Sequence, residues 1–471
     1  MKKLLSVAVA VLLSFAALLP AFGAERWDAD GDGSLTASDA RFALRASVGL
    51  ETPAPGSRRF LAADADGDGR LTASDARLLL RAGVGLPAGA LTDPPEAGGV
   101  SAGLALAEAR FGLTLLGKML GGRAENAMAS PFSVSSALAM TANGAEGETL
   151  RGILEALGAP DPDTLNKALY SAASALPERN GCFVRSANSL WVAPFAAPCV
   201  REPFLGANLR FYGAGVSLLP ENGGGEALIN NWVSEQTQGM IGQIVDRLPP
   251  DAAMVLLNAL CMEAEWARPY REENVSPAPF ASPEGEKTVD MMYGSETLYL
   301  ENDAFTGFLK PYAGGDLAFA ALLPKQDLAA GELPGAIGAE DFMSLLHSAS
   351  YGHVEVAMPK FSFAYGASLR SALSEMGMAR LFTPAAELSA MFAPPVQPMV
   401  SDVLHKTFID VDTAGTRAAA ATAVIVKDSA FFLDSHTVRL DRPFLFAIVL
   451  GEQRLPLFIG VVSDPSAGRQ G

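Results

Sequence analysis

The clearest chemistry in this chain lies in two aspartate-rich loops of the same pattern. Asp28, Asp30, Asp32 and Gly33 lead into Ser34, Leu35, Thr36 and Asp39; Asp64, Asp66, Asp68 and Gly69 lead into Arg70, Leu71, Thr72 and Asp75. Calcium takes about 6–8 oxygen ligands, and a loop of about 12 residues supplies them from positions 1, 3, 5, 7, 9 and 12. Those positions hold Asp28, Asp30, Asp32, the Ser34 carbonyl, Thr36 and Asp39 in the first copy. In the second they hold Asp64, Asp66, Asp68, the Arg70 carbonyl, Thr72 and Asp75. Gly33 and Gly69 stand at position 6, where the chain turns sharply. The implied cofactor is calcium, two ions, one for each loop.

Other chemistries are thinly supplied. The histidines are His347, His353, His405 and His436, with no HExxH spacing. The cysteines are Cys182, Cys199 and Cys261, with no CxxC pair for zinc, and the sequence leaves open whether Cys182 and Cys199 pair. The 471 residues carry 52 acidic and 35 basic side chains, a net charge of −17. That balance argues against nucleic acid, whose phosphates need clustered Lys and Arg. Glu263 and Glu265 are close enough to suggest a carboxylate-pair hydrolase, but they fall in a strand-like segment.

The elements around the loops come next. Residues 1–23 begin with Lys2 and Lys3, continue as an apolar run from Leu4 to Leu19, and end at Ala21-Phe22-Gly23. This reads as a signal peptide cleaved after Gly23, and the run is short for a membrane span of about 20 residues. The mature chain is therefore expected outside the cell, with no membrane segment. Each aspartate loop is followed by a helix-like stretch, SDARFALRASVG or SDARLLLRAGVG, capped by Ser or Asp and closed by Gly. Residues 24–87 form this small all-α unit. Residues 88–103 are rich in Pro, Gly and Ala without periodicity and read as a linker.

From about Leu104 the pattern changes to a mixed domain. LALAEARFGLTLLGKML and SPFSVSSALAMTANGA have helical spacing, the second capped by Ser or Pro. FAALLP, HVEVAMPKFSF, FLFAIVL and LPLFIGVV read as strands. Helices early and strands late predict an α+β domain with large sheets over residues 104–466. One stretch fits no fixed core: GTRAAAATAVIVKDSAFFLD, from Gly415. At period two, Thr416, Ala418, Ala420, Thr422 and Val424 share one face, while Arg417 falls on the other, which can stay wet. Small uncharged side chains on the first face would let this segment enter an existing sheet as a strand. The competing local reading is an Ala-rich helix.

Two family resemblances rest on these residues. The duplicated loop-plus-helix with Asp at position 12 resembles a dockerin, the module that plugs secreted proteins into cohesins of a cellulosome-type scaffold. It implies that Ala37, Ser38, Leu44 and Arg45, with Ala73, Ser74, Leu80 and Arg81, contact cohesin. It also implies that the repeated Ala-Ser pair suits two binding orientations. Residues 104–466 resemble a serpin through SPFSVSSALAMTANGAEGET (from Ser130), SANSLWV, INNWVSEQTQGMI and LLNALCMEAEW, and then through MPKFSF, LSEMGMARLF, VSDVLHKTFIDVDTAGT and DRPFLFAIV, in family order. Together the two point to a bacterial serpin carried on an extracellular or cell-surface cellulosome.

The serpin resemblance implies a monomeric protease inhibitor rather than an enzyme. A serine protease, or a cysteine protease, would attack an exposed reactive loop and form an acyl-enzyme. The loop would then enter the central sheet and distort the protease. The hinge of that loop would be Gly415, Thr416, Ala418, Ala419, Ala420, Ala421 and Thr422. Ser130, Ser133, Asn258 and His405 would form the shutter beneath the sheet, with Trp266 at the breach. Thr413 and Arg417 each stand where the family commonly has Glu. Counting from Gly415 or back from Pro443 sets the reactive bond among Ser429, Ala430, Phe431 and Phe432. Small or aromatic residues there suit elastase-, chymotrypsin- or subtilisin-like proteases. A non-inhibitory serpin acting as decoy substrate or binding module is the alternative. The sequence names neither the protease nor the cohesin.

Overall fold

The computed structural model describes residues 97–416 and 435–467, apart from 180, 222 and 250. Near the N-terminus it describes 28–31, 36–47, 50–54, 57–65, 71, 75–76 and 78–80. The expected signal peptide, most of the linker, hinge residues 418–422 and reactive-bond residues 429–432 lie outside the described residues.

The N-terminal unit has helix α1 (Ala37–Ser47) after the first loop and a short helix α2 (Arg58–Ala63) before the second. Chain after the second loop is helical at 75–76 and 78–80. The sequence reading did not place α2. Ser57 caps it, its hydroxyl accepting the Phe60 N–H at 3.2 Å. Phe42, Ala43, Ala62, Leu78 and Leu79 gather into a core of their own, and Arg59 lies over the Phe42 ring, 4.4 Å from its centre.

The large unit starts at α3 (Ala102–Leu120), capped by Ser101 and closed by Gly121 in the left-handed region. Next come strand β1 (Ala127–Ala129) and helix α4 (Pro131–Ala142), which begins with Ser130 as cap and Pro131 in the first turn. Strands then dominate the chain: β2 (Glu178–Arg179), β3 (Cys182–Val192), β4 (Gly215–Leu218), β5 (Met254–Glu265), β6 (Val275–Ser282), β7 (Gly285–Glu301), β8 (Phe305–Pro311) and β9 (Leu317–Pro324). After these follow β10 (Ser350–Pro359), β11 (Phe361–Ser368), β12 (Leu404–Val411), β13 (Gly415–Thr416), β14 (Ser435–Arg439), β15 (Phe444–Leu450) and β16 (Leu455–Val462).

Among the described residues these strands form two sheets. One runs β1-β16-β15-β9-β8-β7-β10-β14, with β6 on β7; the other runs β11-β12-β13-β5-β3-β2, with β4 on β3. Strands β9, β15 and β16 are buried along their whole length, which explains their unbroken apolar runs. Strand β12 alternates instead, with His405, Thr407, Ile409 and Val411 buried and the residues between them partly or fully exposed. Helix α4 is buried almost throughout and lies between the sheets, its first turn reaching strands of both. All three cysteines are free thiols, so Cys182 and Cys199 are not paired. No helix among the described residues is long and apolar enough to cross a membrane.

Candidate functional site

In the second sheet, among the described residues, the strand between β5 and β12 is two residues long. Among the described residues no ladder joins β5 directly to β12. The two-residue strand β13 stands between them at one end, with Thr416 opposite both Val411 and Ala264 and Gly415 opposite Glu265. Both pairings are antiparallel. A strand paired on both sides holds its neighbours about 9–10 Å apart, twice the ordinary spacing. Below β13 lies a cavity of about 920 Å³, lined by β5 residues Met254 to Asn258 and Leu260, β12 from Leu404 to Thr407, α4 residues including Ser133 and Leu138, and the segments that lead into β5 and β12.

Local chemistry fixes the turn into this position. The Asp412 carboxylate accepts the N–H groups of Ala414 and Gly415, at 2.8 and 3.0 Å. Trp266 is 2% exposed; its indole N–H donates to the Asp412 carbonyl at 2.9 Å and its amide to the Ala414 carbonyl at 2.8 Å. Its ring stacks on Tyr312, centres 4.4 Å apart. The Tyr312 hydroxyl shares a 2.6 Å hydrogen bond with buried Thr416 Oγ1. Gly415 passes so close to β5 that a Cβ there would lie 2.2 Å from the Ala264 carbonyl oxygen. Only glycine fits.

The departure at Thr413 has a local counterpart. Its hydroxyl donates to the Glu272 carboxylate, which also receives Lys360 Nζ at 3.1 Å. The Thr413 hydrogen bond, then that of Lys360, lowers the Glu272 pKa. A carboxylate thus sits beside Lys360 although residue 413 brings none. Arg417, the other departure, lies outside the described residues.

Beneath the cavity the first turn of α4 ties three strands together. The Ser130 amide donates to His405 Nε2 at 3.1 Å and its hydroxyl to the Leu457 carbonyl at 2.8 Å. The Ser133 hydroxyl donates to Asn258 Oδ1, and Asn258 Nδ2 donates to Ser186 Oγ at 2.9 Å and Asn188 Oδ1 at 2.8 Å. Ser130, Ser133, Asn258 and His405, far apart in sequence, meet here, while Trp266 stands apart at the β13 end. Because Nε2 accepts, the His405 ring is neutral with its proton on Nδ1. Burial pushes its pKa down to about 4.

Glu108 on α3 is the opposite case: burial pushes it up to about 8 against the opposing Ser135 hydrogen bond. The two groups set opposite pH slopes. From pH 6.5 down to about 4 the unfolded chain binds a proton at His405 that the folded chain refuses, so stability falls with pH. From pH 4.5 up to about 8 folded Glu108 keeps a proton the unfolded chain releases, so stability falls as pH rises. Glu108→Gln keeps the Ser135 contact and removes that second slope. It is expected to match the parent near pH 4.5 and exceed it by about 4 kcal/mol above pH 8. Urea midpoints at the two pH values check this; parallel pH profiles for the two proteins would contradict it.

In the N-terminal unit the carboxylate oxygens of Asp28, Asp30 and Asp39 lie within 4.8 Å of one another. Asp39 is fully buried; one oxygen accepts the Ala29 and Asp30 N–H groups at 2.7 and 3.1 Å, the other that of Thr36 at 2.7 Å. In the second loop Asp75 is fully buried, Asp64 nearly so, and Asp75 accepts the Ala65 N–H at 2.8 Å. Buried carboxylates converging with hard oxygen donors fit a calcium ion. Asp32, Ser34, Asp66, Asp68, Arg70 and Thr72 lie outside the described residues, as do Ala73, Ser74, Arg81 and the Ala37 side chain. Of the other expected cohesin contacts, Leu44 is exposed, Arg45 pairs with Glu51 at 3.3 Å, Ser38 Oγ meets Thr36 Oγ1 at 2.8 Å, and Leu80 packs on the small core.

Sequence reasoning missed Tyr312, Glu272 and Lys360 at the β13 end, and the buried Lys310–Glu296 pair below it. Only Lys310, a lone charge in the apolar run FTGFLKP, carried a signal.

Comparison with known proteins agrees with this geometry. The family described as Serpin (serine protease inhibitor) matches residues 106–465. A serpin-like protein of Thermococcus kodakarensis is 34% identical over 362 residues, covering 74% of this chain and 83% of that one. Leukocyte elastase inhibitor A of Mus musculus is 29% identical, covering 72% and 93%. The thermophilic serpin tengpin in its native state superposes with a TM-score of 0.73 at 33% identity, covering 79% of this chain and 97% of that one. Its latent state gives 0.68 at 31%, covering 78% and 99%. The chain belongs to the serpin family, a family of serine protease inhibitors rather than of enzymes.

Proposed function

We propose that this chain is a secreted suicide-type inhibitor of serine proteases, with cysteine proteases a secondary class. Its reactive loop, cut after one of the residues Ser429 to Phe432, enters the sheet between β5 and β12 and traps the acyl-enzyme. The observation that carries this is β13: Thr416 already pairs with both strands and Gly415 with β5, antiparallel to each. Continued residue by residue, that register sets Ala418 between Ile409 and Met262, and Ala420 between Thr407 and Leu260. Thr422 then falls between His405 and Asn258, and Val424 between Val403 and Leu256. Even-numbered residues share the buried face of Thr416, and Arg417 takes the other.

Magnitudes say which term drives insertion. A new backbone hydrogen bond nets about 0.5–1.5 kcal/mol, roughly what ordering each residue costs. Pairing alone therefore comes out near zero. Burying a valine contributes about 1.5–3 kcal/mol, and in this register Val424 and Val426 fall beside Val403, Leu256 and Met254, which line the cavity. Small residues lead into the slot, and bulky ones fill its far end.

Small or aromatic residues at the reactive bond favour elastase-, chymotrypsin- or subtilisin-like targets. The N-terminal loops would hold two calcium ions through Asp28, Asp30, Asp32, Ser34, Thr36 and Asp39, and through Asp64, Asp66, Asp68, Arg70, Thr72 and Asp75. The ions would neutralise the gathered carboxylates and fix the loops, so that the unit docks on a cohesin of a bacterial scaffold. Titrating pancreatic elastase and subtilisin with the chain tests the inhibitory reading. Complete loss of activity near equimolar ratio is expected; a chain that is cut while the protease stays active would support the decoy-substrate alternative instead.

A further inference from the structure

Lys310 on β8 is among the largest fully buried side chains, 2% exposed, and pairs with Glu296 on β7, 5% exposed, at 2.6 Å. Its ammonium also donates to the Arg268 carbonyl at 2.8 Å. The same nitrogen lies 5.2 Å from the Trp266 ring centre and 4.1 Å from that of Tyr270. Those two residues grip the turn out of β12. Trp266 donates to the carbonyls of Asp412 and Ala414, and the Tyr270 amide donates to the Thr413 carbonyl at 2.9 Å. One buried cation thus fixes two aromatic residues whose donors hold three consecutive carbonyls before Gly415.

A buried ion pair is a poor source of stability, because apolar residues of similar volume usually replace it without loss. Its directional contacts offer what an apolar pair does not: hydrogen bonds and ring contacts that fix orientation. We propose that Lys310, held by Glu296, is a positioning residue for the trapping step: it makes Trp266 and Tyr270 a rigid seat for residues 412–414. Insertion then starts from a first pair already formed at Thr416. The inference rests on the trapping function proposed above. Trapping is a race between insertion and deacylation, so a hinge that must first order itself loses more often and more inhibitor is consumed as substrate.

The test uses the full chain carrying K310M and E296L together. Lys310→Met alone strands Glu296 in the interior and risks misfolding, whereas the double substitution leaves no buried charge. Three quantities are read: the melting temperature, hydrogen exchange at the Ala414 and Gly415 amides of the uncut protein, and the molar ratio of inhibitor consumed per elastase or subtilisin inactivated. The expected result is an unchanged or higher melting temperature, exchange at least about tenfold faster, and a consumption ratio raised about threefold or more. A folded double variant that keeps parental exchange, or parental consumption, overturns the proposal and leaves the pair a merely structural one. If the parent chain is cut without trapping, the inhibitory function fails separately, and the exchange measurement still decides whether Lys310 seats the hinge.

Discussion

Replacing Thr416 with arginine is expected to turn this inhibitor into a substrate. Thr416 is 4% exposed, bonded to Tyr312, and paired on both sides at the mouth of the slot. An arginine there must either leave the sheet or carry its charge inward, and an uncompensated buried charge costs several kcal/mol. A penalty of that size at the first step slows insertion by well over tenfold, while cleavage proceeds at the parental rate because the reactive bond is untouched. Arg417→Ala is the control: residue 417 takes the opposite face, so the yield of complex is expected to stay within about twofold of the parent. Gel densitometry of covalent complex against cut inhibitor reads both. A Thr416→Arg chain that still traps the protease one for one would remove the argument from β13.

Chelating calcium is expected to abolish cohesin capture while leaving protease trapping intact. Asp28, Asp39, Asp64 and Asp75 are all buried or nearly so. Gathered carboxylates repel one another once a bridging cation is removed, and the small core of Phe42, Ala62, Leu78 and Leu79 is slight. Metal binding and folding are coupled in such units, so removing the ion removes the fold. Affinity for cohesin is expected to fall at least about a hundredfold in excess chelator, with helical circular dichroism falling beside it, and both returning when calcium is restored. Asp39→Asn should do the same for the first loop, because both Asp39 oxygens already accept backbone N–H groups and orient it. Capture indifferent to chelator would contradict the calcium reading.

How much of this was legible in the sequence follows from distance along the chain. The period-two faces of the Gly415 segment could be read because alternation is local; of the residues on them the structure describes Thr416, which is buried as its neighbour Gly415 also is. Caps were readable for the same reason: Ser130 and Pro131 open α4. The polar cluster of Ser130, Ser133, Asn258 and His405 spans most of the large domain, and no spacing rule joins its members; only family resemblance gathered them. Thr413 was a local departure whose compensation is not local, since Glu272 comes from a segment more than a hundred residues earlier. Helix α2 is six residues long, too short for its periodicity to stand out. The pairing that sets the loop's register is tertiary, and its consequences could be counted only once Thr416 was seen opposite Val411 and Ala264.

The central claim is that cleavage drives residues 416–426 into the slot and carries the protease with them. Intact mass after incubation with pancreatic elastase, in denaturant, tests it most directly. The account predicts one covalent species: protease plus the inhibitor shortened by a C-terminal fragment that begins between Ala430 and Leu433. Its contradiction would be complete conversion to two inhibitor fragments beside free, fully active elastase.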